Sequence, residues 1–196
     1  MRTLLRGVSA VLALVFFAPV AAMAQTPGKL PSIGDKTKDL KKIDGYFPLY
    51  WDDSAGTLWM EIPALGAEVL YVSALSAGLG SNDIGLDRGQ LGATAIVRFE
   101  RSGNKVLMVQ PNYDYRVVTD NPYETRALEE AFAKSTLWGF TAAAESDGRV
   151  LVDMSDFLLR DTHGIVARLR PASYRVDRTR SVVNMDRTKA FPKNTE

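Results

Sequence analysis

The sequence predicts a β-rich α+β fold, with antiparallel hairpins packed against one main helix at about 122–134. Three stretches carry that prediction. Thr94 to Tyr115 holds two β-rich runs around Ser102-Gly103-Asn104, and Gly-Asn between such runs is a strong hairpin signal. Tyr46 to Trp51 and Thr57 to Ile62 form a second hairpin around Asp52-Asp53-Ser54-Ala55-Gly56. Asp120-Asn121-Pro122 opens the clearest helix in the chain.

The first residues read as a targeting segment. Arg2 and Arg6 precede an apolar run from Val8 to Val20, and Ala22-Met23-Ala24 then offers a small-x-small cleavage site before Gln25. That is the pattern of a signal peptide over 1–24. The run falls short of the roughly 20 apolar residues a membrane helix needs. No cysteine follows it, so a lipid anchor is not expected. The mature chain is expected to be exported, periplasmic or extracellular, with no membrane attachment after cleavage. Of the 196 residues, 172 would remain after residue 24, enough for one ordinary domain. Residues 25–42 are polar and broken by Pro and Gly, and they read as a flexible leader. Residues 43–196 read as the β-rich domain.

Composition narrows the chemistry. The chain has no cysteine, which removes disulfides, thiolate nucleophiles and Cys-based zinc sites together. Hydrophobic residues make up 46%, so the fold must rest on its core. Without Arg2 and Arg6 the 24 basic residues fall to 22 against 23 acidic, a net −1. That balance gives no electrostatic case for nucleic acid.

The elements follow in order. Pro48 suggests that the first strand lies at an edge or ends in a bulge. In the next, Leu58, Met60 and Ile62 point one way and Thr57, Trp59 and Glu61 the other. Val69 to Leu75 is a third strand. Gly78 to Gly92 is the longest irregular stretch, with five glycines between and around Asp83, Asp87 and Arg88. Its spacing matches neither an EF-hand nor a phosphate loop, so it reads as turns. For the 94–115 hairpin, a three-residue loop is preferred. It sets Phe99 opposite Leu107 and Val97 opposite Val109, at the cost of placing Arg101 beside Lys105.

Asn121 can cap the helix, Pro122 suits its first position and Glu124 sits three past the cap. Tyr123, Ala127, Leu128, Ala131 and Phe132 form its apolar stripe, and Glu130 can pair with Lys134. Leu137 to Ala144 returns to strand, with Trp138, Phe140 and Ala142 on one face. Asp147-Gly148 marks a tight turn before Val150-Leu151-Val152. Ser155 is a candidate cap for a short turn. Ile165 to Leu169, Tyr174 to Val176 and Ser181 to Val183 read as weaker strands. The ending, Ala190 to Glu196, looks unfinished, as in a fragment.

Catalytic candidates are few. His163 is the one histidine, in Asp161-Thr162-His163-Gly164. A Ser-His-Asp triad with Asp161 is conceivable, but no Gly-x-Ser-x-Gly elbow accompanies it. A single histidine without cysteine cannot supply a zinc site. Asp52-Asp53 and Glu129-Glu130 read as solvated carboxylates. Tyr50, Trp59, Tyr113 and Tyr115 could form a peptide or glycan platform, though such residues more often border a β core. No catalytic, cofactor-binding or metal-binding residue is assigned.

The order of motifs carries more than any one of them. Asp44-Gly45-Tyr46-Phe47-Pro48-Leu49-Tyr50-Trp51 is followed by Leu58-Trp59-Met60-Glu61-Ile62-Pro63. Then come Gly85-Leu86-Asp87-Arg88-Gly89-Gln90, Val97-Arg98-Phe99-Glu100-Arg101 with Lys105-Val106-Leu107, and Val152-Asp153-Met154-Ser155-Asp156-Phe157-Leu158. Arg180-Ser181 up to Phe191-Pro192-Lys193-Asn194-Thr195-Glu196 closes the series. This order, over roughly Lys38 to Glu196, resembles the N-terminal domains of unknown function of bacterial secreted metalloproteases, zinc-dependent and of the metzincin type. The proteolytic core of that family carries His-Glu-x-x-His-x-x-Gly-x-x-His, and no residue here matches it. The resemblance therefore implies a non-catalytic accessory domain that packs on or shapes a catalytic peptidase domain, with zinc expected only there. The alternative is a free-standing periplasmic peptide- or glycan-binding or scaffold domain. A hydrolase built on His163 is a third reading.

The targeting segment makes a direct prediction. Intact mass and N-terminal sequencing of the exported protein should begin at Gln25, and a protein retaining Met1 would contradict it.

Overall fold

In the computed structural model, which describes residues 29–78, 85–169 and 173–196, antiparallel β structure dominates. Eight strands form one curled sheet, a half barrel. They are β1 (Lys41–Ile43), β2 (Leu49–Asp52), β3 (Thr57–Ile62), β4 (Glu68–Ala74), β5 (Leu91–Ser102), β6 (Lys105–Gln110), β7 (Ser135–Ser146) and β8 (Arg149–Asp153). Their spatial order is β1-β2-β3-β8-β7-β6-β5-β4. The helices are short: α1 (Ile33–Thr37), α2 (Pro122–Ala131), α3 (Ser155–Leu158) and α4 (Ile165–Arg168). The expected antiparallel β structure is present, but helices are few and short, so the fold is mainly β; α2, the expected central helix, buries none of its residues.

The main core lies on one face of the sheet. Leu58, Met60 and Ile62 are buried there, as alternation along β3 predicts, with Val97, Phe99, Val106, Met108, Phe140, Val150 and Val152. Phe157 on α3 covers this face and meets Phe140 with ring centroids 5.6 Å apart and Trp138 at 5.7 Å. Arg160 closes over it. Its guanidinium sits 3.7 Å above the Phe157 ring and donates to the Phe157 carbonyl and to Tyr71 Oη. Ser155 contributes differently from the expected cap. Its hydroxyl accepts from Leu58 N–H at 3.1 Å, while Asp153 takes the Ser155 N–H at 2.8 Å.

The β5–β6 hairpin corrects the preferred register. Phe99 pairs with Met108 and Ser102 with Lys105, leaving the two-residue loop Gly103-Asn104. Gly103 has φ +56°, and glycine leading a two-residue loop matches the twist of the flanking strands. This register puts Val106 and Met108, rather than Leu107 and Val109, on the face of Val97 and Phe99. It also places Val106 opposite Arg101, relieving the like-charge pair. Arg101 instead meets Glu145 at 3.5 Å.

A bulge lets β7 serve two faces. Ala142 pairs with Val152 but Ala144 pairs with Leu151, so one extra residue intervenes. Ala142 joins the main core, and Ala144 joins a second cluster with Ile33, Tyr50 and Leu151. That cluster lies under α1. The predicted leader is therefore docked from α1 onward. Ser32 caps α1 through Asp35 N–H, Ile33 N–H donates to Ser146 Oγ, and Lys41–Ile43 pairs with β2. Pro48 precedes β2, which is not an edge strand because β1 flanks it.

The later expectations need further correction. Residues 165–168 form α4 rather than a strand, because the Asp161 carboxylate accepts the N–H groups of Ile165 and Val166. Residues 174–176 and 181–183 are not strands, and Arg178–Arg180 forms a 3-10 turn. The last residues, read as unfinished, form a small hairpin of β9 (Ala190–Phe191) and β10 (Asn194–Thr195). It docks on the start of the sheet: Tyr46 N–H donates to the Phe191 carbonyl, and Thr195 Oγ1 bonds both backbone groups of Phe47.

Gly45 is the contact point of that hairpin. A Cβ there would lie 2.4 Å from Ala190 Cβ and 2.8 Å from Phe191 N. Gly45→Ala should therefore cost about 1–3 kcal/mol by overpacking. Urea unfolding measures this, and an unchanged midpoint would show that the hairpin does not dock there.

Candidate functional site

The structure brings Ser73 and His163 to one point and engages Asp161 elsewhere. His163 precedes Gly164, whose φ of +64° turns the chain into α4. Its imidazole lies against Gly92, where a Cβ would sit 2.8 Å from His163 Cε1 and 2.5 Å from Ser73 Oγ. Ser73 and His163 thus flank one glycine. No triad follows, because the Asp161 carboxylate is occupied by two α4 amides and Ser73 Oγ is directed at the Ala93 carbonyl at 3.4 Å. Asp83 falls outside the described residues. Among the described residues, no group of three or more His, Cys, Asp or Glu converges as a metal site would require.

The carboxylate pairs are structural. Asp52 Oδ1 accepts from Ser54 N–H, Ser54 Oγ and Ala55 N–H, and these bonds hold it below the usual carboxylate range, the Ser54 hydroxyl foremost. Glu130 pairs with Arg126 at 2.6 Å, not with the expected Lys134. Lys134 reaches Glu100 at 2.6 Å. Together with Arg98 it lowers the Glu100 carboxyl, the Lys134 hydrogen bond being the larger cause.

The four candidate platform aromatics do not assemble. Tyr50 is buried, and Trp59 lies beneath Lys36 Nζ, 4.8 Å from its ring. Tyr113 hydrogen-bonds Glu68, which raises its phenol pKa. Tyr115 alone forms a new surface, stacked on Phe132 with centroids 3.7 Å apart and planes 12° from parallel. Tyr123, Val117 and Val118 are exposed as well. This apolar surface of α2 and its leading segment is the strongest candidate for an interaction site. A loop–helix stack has no signature in strand or helix periodicity, so it was not legible beforehand.

Sequence reasoning also missed Glu61. Alternation places it opposite the main core, which suggests solvent. It is instead 3% exposed, because that face is covered by α1 and its cluster. Its carboxylate accepts from Tyr50 Oη at 2.7 Å and from Arg149 Nη1 at 2.8 Å, linking β2, β3 and β8. Arg149 also reaches Asp147 at 3.4 Å. The Arg149 side chain is 41% exposed, so water screens that pair toward the ~0.2–1 kcal/mol of surface ion pairs. The buried tyrosine bond to a charged acceptor is the stronger term, at about 1.5–3 kcal/mol. Arg149, Arg101 and Lys29 border a cleft of about 720 Å³. Both arginines are committed to carboxylates, so neither is a ready anion binder.

Together these features define a class: an antiparallel half-barrel domain whose most prominent exposed feature is an apolar surface. A family model, Domain of unknown function (DUF5117), matches residues 89–196. The chain belongs to that family. No curated protein and no solved structure matches it. The match spans β5, β6, β7 and β8, which are four neighbouring strands of the sheet. Strands β3 and β4 flank them from outside the matched region.

Burial, and then the hydrogen bond to Glu61, raise the Tyr50 phenol well above its ordinary 10.0. A raised folded pKa stabilises fully below the unfolded value, and the contribution is lost as pH climbs past it toward the folded value. Stability should therefore fall more steeply above pH 10 in the native protein than in Tyr50→Phe. Chemical denaturation of both below and above that pH tests this. Parallel declines would contradict a buried phenol bonded to Glu61.

Proposed function

We propose that this chain is the non-catalytic N-terminal accessory domain of an exported zinc-dependent metallopeptidase, and that it packs on or shapes the catalytic domain. The motif order described above supports the peptidase association. One structural observation supports a packing role. Helix α2 buries none of its ten residues, although its apolar stripe is intact. A helix of this length is marginal in water without tertiary packing. Just past its C-terminal end, Phe132 stacks on Tyr115 and Lys134 pairs with Glu100. A catalytic domain laid over Tyr115, Tyr123 and Phe132 would supply the missing cover. Zinc and the general base belong, in this reading, to that domain.

The stacked aromatics also favour a second reading, a free-standing periplasmic domain that binds peptides or glycans on the same surface. Aromatic faces serve both uses.

The two readings separate cleanly. Under the first, the reading frame beyond Glu196 continues into His-Glu-x-x-His-x-x-Gly-x-x-His. Amides of residues 122–131 then exchange at least ~10-fold more slowly in the longer polypeptide than in this chain alone. A stop codon with no peptidase following, or equal exchange in both, would defeat it. Peptide or glycan ligands that raise Tm and protect α2 would favour the second.

A further inference from the structure

We propose that the outer edge of β4 is a self-association site, where β4 pairs antiparallel with β4 of a second copy about a twofold axis at Leu70. The two edges of the sheet differ in kind. Strand β1 is three residues long and carries Lys41 and Lys42, two exposed charges. Short, lysine-bearing strands are how proteins blunt an edge. Strand β4 has seven residues and one charge, Glu68, which is held by Tyr113. Among the described residues, no backbone hydrogen bond reaches the side of β4 away from β5. Leu70 is 69% exposed and Val72 42%, with Ile96 across from Leu70 on the same face. An edge so long and apolar templates another strand.

Its own sequence fits that role. The ladder with β5 is regular from Glu68 to Val72 and breaks at a bulge before Ala74. Antiparallel pairing centred on Leu70 uses those five residues. It sets Leu70 against Leu70, Val69 against Tyr71 and Glu68 against Val72 of the second copy. Apolar residues then meet on both faces, and no like charges are opposed. The pairing is isologous, so it closes at two copies. Joining β4 to β1 would be heterologous, would match only three residues, and would leave open edges for a chain of copies.

The test uses the purified full chain. Light scattering and sedimentation velocity from micromolar to submillimolar concentration should show a species of twice the monomer mass. Leu70→Lys, at an exposed position, should weaken the dimer about tenfold or more while leaving circular dichroism and Tm unchanged. The chain has no cysteine, so Leu70→Cys adds a lone thiol. Opposed Cα atoms in such a pair lie about 4.5–5.5 Å apart, within the ~4.4–6.8 Å span of a disulfide. Mild oxidation should therefore link Leu70→Cys into dimers and leave the α2 control Thr125→Cys largely unlinked. Should Leu70→Lys misfold, the cysteine pair still decides. A monomer at every concentration, a dimer indifferent to Leu70→Lys, or equal linking of both cysteine variants would overturn the proposal. Monomeric protein would leave the edge to a strand from a different polypeptide.

Discussion

The fold depends on a buried carboxylate, that of Glu61 on β3. Glu61 stands where β2, β3 and β8 run side by side, and it is the acceptor for groups from both neighbouring strands. Burying an unpaired carboxylate would be prohibitive. The placement is tolerable because Tyr50 and Arg149 are pinned by strand register on either side. Once Glu61 is held, Ile33, Leu151 and Ala144 can close over that face. The N-terminal segment is thereby drawn onto the sheet.

That cover is local, and the two ends of the sheet differ as a result. Around β2, β3 and β8 both faces are occupied, by the main core on one side and α1 on the other. Toward β5 and β4 the second face leaves Leu70, Val72 and Ile96 exposed. Helix α2 and the Tyr115 segment lie exposed as well. A sheet buried on both faces at one end and open at the other has its adhesive surfaces confined to one side. At the closed end Glu61 and Arg149 are matched to each other.

The family match sharpens this picture. Its residues 89–196 supply β5 through β8. Yet Leu49, Leu58, Met60 and Ile62, which complete the core, lie before residue 89. The matched strands alone would expose that core. The hydrophobic unit therefore runs wider than the family boundary, from β2 through Phe157, and the terminal hairpin returns to Gly45 and Phe47.

Local rules were legible in the residues themselves. Alternation along β3 named Leu58, Met60 and Ile62, and Asp147-Gly148 marked its turn, with both residues at positive φ. Asn121, Pro122 and Glu124 marked the start of α2, and the Asn121 side chain caps Tyr123 N–H and meets Glu124. These signals are short-range, carried by dihedral preference and period. The tertiary structure decided everything that needed a distant partner. It flipped Ala144 with a bulge toward Ile33 and buried Glu61 beneath α1. In each case the deciding contact joins residues far apart in the chain, and no local pattern encodes which face a remote segment will cover.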